Sequence, residues 1–314
     1  MPHSSKPHSH PRATAGSGAF VAPAGAARLR GATEVRAAKP QERVSPAPIG
    51  SVADENELMS TAGSRSGPAR HDELKLCGLA AVKARFARDP GSIKRLFFDH
   101  ATGQRVGPIC QMLAREKKIY RQVEPAELEK ISGSIHHGGI VAVVYAAPLH
   151  DVNAADIAQW AKRGEALLVL DRIGNAHNLG AIARTAAFFG VARIVIPSRP
   201  GAARPSDAAH RVAEGGFEHL EVWQTKDLVV VARELAAAGY DVVGAATRGG
   251  RPDAPRKEGR KPLALFLGNE EHGLAPDVAA ACARLVTIPG SGRIESLNVS
   301  VAAAVLLWEL LVRR

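Results

Sequence analysis

Three stretches of this chain gather glycine together with asparagine, arginine, glutamate and serine, and each follows a short apolar run. The first reads Asp171-Arg-Ile-Gly-Asn-Ala-His-Asn178-Leu-Gly180-Ala-Ile-Ala-Arg184. The second is Leu267-Gly268-Asn-Glu270-Glu-His-Gly273-Leu, and the third is Ile288-Pro-Gly-Ser-Gly-Arg-Ile-Glu-Ser296-Leu297-Asn298-Val-Ser300. Glycine lets a backbone come close to a ligand. Amides and carboxylates give directional grips, and the guanidinium of Arg184 is a permanent positive charge. Asn298 heads an otherwise apolar helical segment, where a side-chain amide demands a partner. Ser296 and Asn178 each also fit a helix N-cap. His177 and His272 have no carboxylate at a telling spacing and read as loop histidines.

The usual phosphate loops are missing. A dinucleotide site places a GxGxxG-type turn straight after its first strand, whereas that position here reads Arg-Ile-Gly-Asn-Ala-His. Gly290-Ser-Gly292 continues as Arg-Ile-Glu, and no GxxxxGK[ST] run occurs. A plain Rossmann or P-loop enzyme is thereby excluded.

The elements that must hold these loops are legible from apolar runs. Beyond residue 151 the sequence predicts strands at 166–171, 193–196, 240–245, 263–267 and 285–288, with helices at 179–189, 227–238 and 297–312. Continuous apolar strands signal a parallel sheet covered on both faces. Ligands of such sheets sit beyond the carboxyl ends of the strands, so three loops in those positions belong to one site. Residues 71–150 form a second α/β series: a turn at Gly78 and a helix, then strand 93–98, helix 106–115, strand 118–122, helix 125–131 and a buried strand from Gly139. It carries twelve basic against eight acidic residues and no nucleophile–base pair, which suits the docking of a substrate.

A length of 314 residues allows about two domains. Aromatics are only 4% of a chain that is 46% apolar, so the core is aliphatic. Three cysteines without CxxC spacing argue against a disulfide framework or a zinc site and suit the cytoplasm. No apolar run reaches the roughly 18–20 residues of a membrane span. The net charge of +10 makes a polyanion such as nucleic acid a fitting partner. Residues 1–70, rich in proline and glycine, read as a disordered basic tail: an arm with loose affinity for RNA, or a transit peptide.

The three loops resemble motifs one, two and three of the SpoU (TrmH-like) family of RNA ribose 2′-O-methyltransferases, in the SPOUT superfamily. NLGAIARTA, LGNEEHGL and IP…SLNVSVAAAVLL stand in the family's order over residues 151–314. CGLAAV at Cys77 and HHGGIVA at His136 are similar to signatures of the family's L30e-like substrate-binding module. The chain departs from the pattern at Asn175-Ala176, where many relatives have Asp-Pro, and at Gly138, where they have Gln.

The resemblance implies a C-terminal α/β domain with a deep trefoil knot, a feature almost absent from proteins at large. It also implies S-adenosylmethionine as methyl donor, structured tRNA or rRNA as substrate, a homodimer that completes the site, and no metal. By the same likeness Gly268, Ile288 and Leu297, with Leu267 and Asn298, contact the cofactor. Arg184 is the catalytic candidate. A guanidinium stays protonated, so its fitting role is to clamp a phosphate and steady a developing alkoxide rather than to act as base. Asn178 would orient Arg184 or the ribose, Glu270 would fix the loop or the arginine, and Ser296 and Asn298 complete the set. The competing readings are an RNA-binding or assembly protein that keeps the fold without the chemistry, and a base-nitrogen methyltransferase.

Overall fold

The computed structural model describes residues 73–247, 249–250 and 261–313; the expected tail, with its basic-arm and transit-peptide readings, lies outside the described residues. The first lobe runs β1 (Glu73–Cys77), α1 (Leu79–Arg88), β2 (Ile93–Phe98), α2 (His100–Gly103), α3 (Gly107–Arg115), β3 (Ile119–Gln122), α4 (Pro125–Ser132) and β4 (Ile140–Tyr145). Its sheet has the order β1-β4-β2-β3, with β2 and β3 parallel and β4 antiparallel to both its neighbours. The expected turn at Gly78 is present, at φ 89°. The strand before it is new: Glu73-Leu-Lys-Leu-Cys alternates as a half-covered strand does, and such a short alternation is easily read as part of a turn.

The second lobe is larger. It runs β5 (His150–Asp151), α5 (Ala154–Lys162), β6 (Leu167–Leu170), α6 (Ala176–Phe188), β7 (Arg193–Pro197), α7 (Asp207–Ala213), β8 (Glu221–Thr225), α8 (Leu228–Ala237), β9 (Asp241–Ala245), β10 (Leu263–Leu267), α9 (Pro276–Ala281), β11 (Arg284–Val286) and α10 (Val299–Leu307), which continues as a π-helical turn over Trp308–Val312. The strands form one sheet in the order β11-β9-β10-β6-β7-β8-β5, and every neighbouring pair is parallel. Both faces are covered. Leu168, Leu170, Ile194, Ile196, Leu265 and Leu267 pack under α6, α7 and α10, while Leu167, Val169, Val195, Ala264 and Phe266 pack under α5 and α8. This alternation explains why the strands read as unbroken apolar runs.

Some boundaries move for local reasons. The first loop's helix begins at Ala176 rather than at residue 179, because Asn175 caps it by accepting from the His177 N–H at 2.8 Å. The closing helix begins at Val299 rather than at residue 297, with Asn298 as its cap. The last strand is Arg284–Val286, shorter than the expected 285–288. Neither α5, α7 nor β8 stands out in the sequence; β8 (Glu-Val-Trp-Gln-Thr) lies next to the sheet edge, and its polar residues follow no strict alternation.

The lobes are bolted together at α1. Arg85 pairs with Glu218 at 2.8 Å, the two side chains being 7% and 1% exposed. Arg88 donates to the carbonyls of Phe217 and Leu220, and the Lys75 N–H donates to Asp207. Gly215, at φ 92°, lies so close to α1 that a Cβ there would stand 3.1 Å from the Ala81 Cα. The first lobe is thus fixed to the turn after α7, and α7 itself packs on α6, the helix that carries Asn178 and Arg184.

Candidate active site

The three loops meet at the carboxyl ends of β6, β10 and β11. Strand β6 hands over to Asp171, 1% exposed, whose backbone N–H donates to the Leu267 carbonyl at 2.8 Å. The Asp171 carboxylate then ties the site together. It accepts from the Ala275 N–H at 2.7 Å, from Arg172 Nε at 3.3 Å and from Arg199 Nη2 at 3.2 Å. Arg172, in the left-handed region at φ 57°, reaches on to the Gly273 carbonyl at 2.8 Å. A buried carboxylate is tolerated because two guanidiniums and an amide surround it.

The second loop closes on itself. Asn269 and Gly273 exchange backbone hydrogen bonds of 3.1 and 2.8 Å, while the Asn269 side chain accepts from the N–H groups of Glu271 and His272. Gly268 is required there. A Cβ on it would stand 2.1 Å from the Gly273 carbonyl carbon and 2.3 Å from the Leu274 nitrogen.

The polar residues converge. Asn178, on the first turn of α6, donates from Nδ2 to Glu270 and accepts at Oδ1 from Asn298 Nδ2 at 3.1 Å. Asn298 Oδ1 accepts in turn from the Ser300 N–H at 2.9 Å and from the Ser300 hydroxyl at 2.6 Å. One hydrogen-bonded chain, Glu270–Asn178–Asn298, therefore joins all three loops. It also answers the question posed by an amide at the head of an apolar helix: Asn298 is both the cap of α10 and the partner of Asn178.

Beside this chain lies a pocket of about 580 Å³. Leu267, Gly268, Glu270, Ile288, Ser296, Leu297 and Asn298 all line it, with apolar walls from Ala245, Val286 and Leu306. Of the expected site residues, Arg184 stands apart. It is exposed, pairs with Glu214 at 2.8 Å and is not among the residues lining the pocket. Asn178 touches the site only through Glu270 and Asn298. The loop residues that sequence reasoning passed over are Asp171, Arg172 and Arg199. The one available signal was an Asp-Arg pair closing an apolar strand.

A larger hollow of about 850 Å³ lies between the lobes. Its cations are engaged: Arg85 with Glu218, Arg88 with two carbonyls, and Arg204 with Gln224 and Ser198. Among the described residues no group of His, Cys, Asp and Glu could hold a metal ion.

Residues 165–308 match the SpoU rRNA Methylase family, and residues 75–149 match the RNA 2′-O ribose methyltransferase substrate binding family. The chain is 35% identical over 248 residues to the uncharacterized tRNA/rRNA methyltransferase YfiF of Escherichia coli O157:H7, covering 76% of this chain and 68% of that protein. It is 33% identical over 237 residues to the 23S rRNA (guanosine-2′-O-)-methyltransferase RlmB of Nitrosomonas europaea, covering 74% of this chain and 88% of that one. Among solved structures, an AdoMet-bound rRNA methyltransferase from Sinorhizobium meliloti superposes with a TM-score of 0.62 at 24% identity, over 76% of this chain and 86% of the other. A TrmH-family RNA methyltransferase from Porphyromonas gingivalis gives 0.60 at 24% identity, over 77% and 90%. These two likenesses speak to the fold.

Proposed function

The chain belongs to the SpoU rRNA methylase family, and from that membership we propose how its own residues carry out S-adenosylmethionine-dependent 2′-O-methylation of a ribose in structured rRNA or tRNA. The observation that carries the proposal is the Glu270–Asn178–Asn298 chain, which locks three loops around one pocket.

The pocket suits the methyl donor. Leu267, Ile288, Leu297 and Leu306 offer apolar walls for an adenosine, and bare backbone at Gly268 lets the Gly273–Leu274 segment close against it to shape that wall. When bound there, S-adenosylmethionine supplies an electrophilic methyl group on a sulfonium. The protein's task is to hold the ribose 2′-oxygen in line with that methyl, in dry near-attack geometry. Asn298 positions the ribose edge, held there by Asn178, which Glu270 fixes in turn, and Ser296 adds a hydroxyl on the same wall. Arg184 clamps a neighbouring phosphate and offsets the charge that grows on the 2′-oxygen as its proton passes to water at the pocket mouth.

Arg184 does this across a homodimer. Val301, Val305, Trp308 and Val312 are 40–52% exposed and fall on one helical face. Phe188, near the end of α6, is 83% exposed. An apolar stripe of this kind beside the site favours a second copy of the chain, and pairing there would carry an outward-facing Arg184 towards the partner's pocket. The knotted path belongs to the same reading, supported by the position of β10 between β9 and β6. The first lobe, held rigidly at Arg85–Glu218, captures the RNA. No helix among the described residues is long and apolar enough to cross a membrane, and a ribosomal or transfer RNA substrate puts the work in the cytoplasm.

The test is Arg184→Ala. The variant is expected to bind S-adenosylmethionine as the wild type does, by calorimetry, and to transfer no methyl to RNA. Normal turnover would remove Arg184 from the mechanism.

A further inference from the structure

The third loop carries a charge that the reading above leaves unused. Arg293 lies on the wall of the 580 Å³ pocket, between Gly292 and Ile294. Among the described residues lining that pocket it is the one cation, set against the carboxylates of Glu270 and Glu295. Its side chain is exposed, and no hydrogen bond or ion pair engages its guanidinium. Only its backbone N–H is used, donating to Ser291 Oγ at 3.4 Å. Other arginines around the loops are engaged: Arg172 and Arg199 with Asp171, Arg184 with Glu214 and Arg284 with Asp241.

We infer that Arg293 binds the RNA phosphodiester next to the ribose that is methylated. This rests on the RNA-methyltransferase reading and assigns a residue it does not use. Each nucleotide brings one negative charge to a mouth that already presents the Glu270 carboxylate, and a free guanidinium on the rim offsets that repulsion. Its planar fork takes two phosphate oxygens at once, which fixes orientation as well as charge. The cofactor makes the weaker claim on it. A sulfonium and an ammonium against one carboxylate leave S-adenosylmethionine with a net positive charge, which Glu270 suits and a cation opposes. Gripping the phosphate also fixes the ribose attached to it against the Asn298 amide.

The experiment uses the full chain, methyl-labelled S-adenosylmethionine and total RNA from a strain deleted for the gene. Arg293→Gln is expected to raise the apparent KM for RNA about tenfold, the loss of one good charged contact. In filter binding, the slope of log affinity against log salt should fall by about one. Arg293→Lys should restore part of the loss, since it keeps the charge without the fork. S-adenosylmethionine affinity should stay within twofold of wild type. Unchanged RNA affinity and salt slope in Arg293→Gln would overturn the assignment. So would a loss confined to S-adenosylmethionine affinity, which would hand the guanidinium to the cofactor's carboxylate. A wild-type protein that transfers no methyl to this RNA would instead overturn the reading on which the assignment rests.

Discussion

Replacing Gly268 by alanine adds one methyl group at the tightest point of the site. That carbon would lie 2.1 Å from the Gly273 carbonyl carbon and 2.3 Å from both the Gly273 oxygen and the Leu274 nitrogen. Ordinary contact between such atoms needs roughly 3.5 Å, so the two strands of the loop must part by more than an ångström. No flexible side chain can yield, because all three neighbours are backbone. Parting them breaks the two Asn269–Gly273 hydrogen bonds of 2.8 and 3.1 Å and strains the Arg172 contact to the Gly273 carbonyl. Two lost bonds at about 1 kcal/mol each and overpacking of about 1–3 kcal/mol give a destabilisation of about 3–5 kcal/mol. The pocket wall moves with the loop, and a misplacement of about 1 Å at a catalytic site costs on the order of a hundredfold in rate. Urea denaturation followed by circular dichroism reads the first effect, and calorimetry with S-adenosylmethionine and methyl transfer read the second. A Gly268→Ala protein within about 0.5 kcal/mol of wild type and normal in cofactor binding would refute the claim that bare backbone is needed there.

Two further perturbations probe the frame around the site. Asp171→Asn keeps the shape but leaves the partly exposed Arg172 and Arg199 without their carboxylate, so stability should fall by about 1–2 kcal/mol, read as a lower urea midpoint at unchanged m-value; an unaltered midpoint would deny the carboxylate its stapling role. His210, 5% exposed against Phe217, is pushed down to about 4 by burial, with the nearby Arg85 charge adding to it. The native state thus prefers the neutral ring: its contribution is full above pH 6.5, drains away as pH falls to about 4 and changes no further below that. That window is worth about 3 kcal/mol, and His210→Gln should flatten it in stability measured from pH 7 to pH 4; an identical pH profile in the variant would place the acid sensitivity elsewhere.

What the sequence made legible and what it hid divide along a physical line. Unbroken apolar runs such as Leu263–Leu267 announced central parallel strands, because burial on both faces leaves no room for polar alternation. Strand β8 and helix α7 escaped because both are short and mix polar with apolar residues, so their periodicity is weak. In the site, Asn178, Glu270 and Asn298 were legible as residues, and the hydrogen bonds joining them were not: residues 92 and 120 positions apart meet only once the sheet has set its strand order. The same limit governs the positive charges. A sequence shows that an arginine is present but not whether a carboxylate has already claimed it, and electrostatic work at a reacting centre depends on that difference. Arg172 and Arg199 are committed to holding Asp171, and Arg184 faces Glu214 on an exposed surface. An exposed pair of that kind is worth about 1 kcal/mol or less, little enough for an arriving phosphate to displace Glu214 and free the guanidinium. On the proposed dimeric mechanism Arg184 would be a charge released when RNA and a second subunit arrive, while Arg293 is already free at the pocket mouth, so the two should respond differently to salt and to dimer disruption.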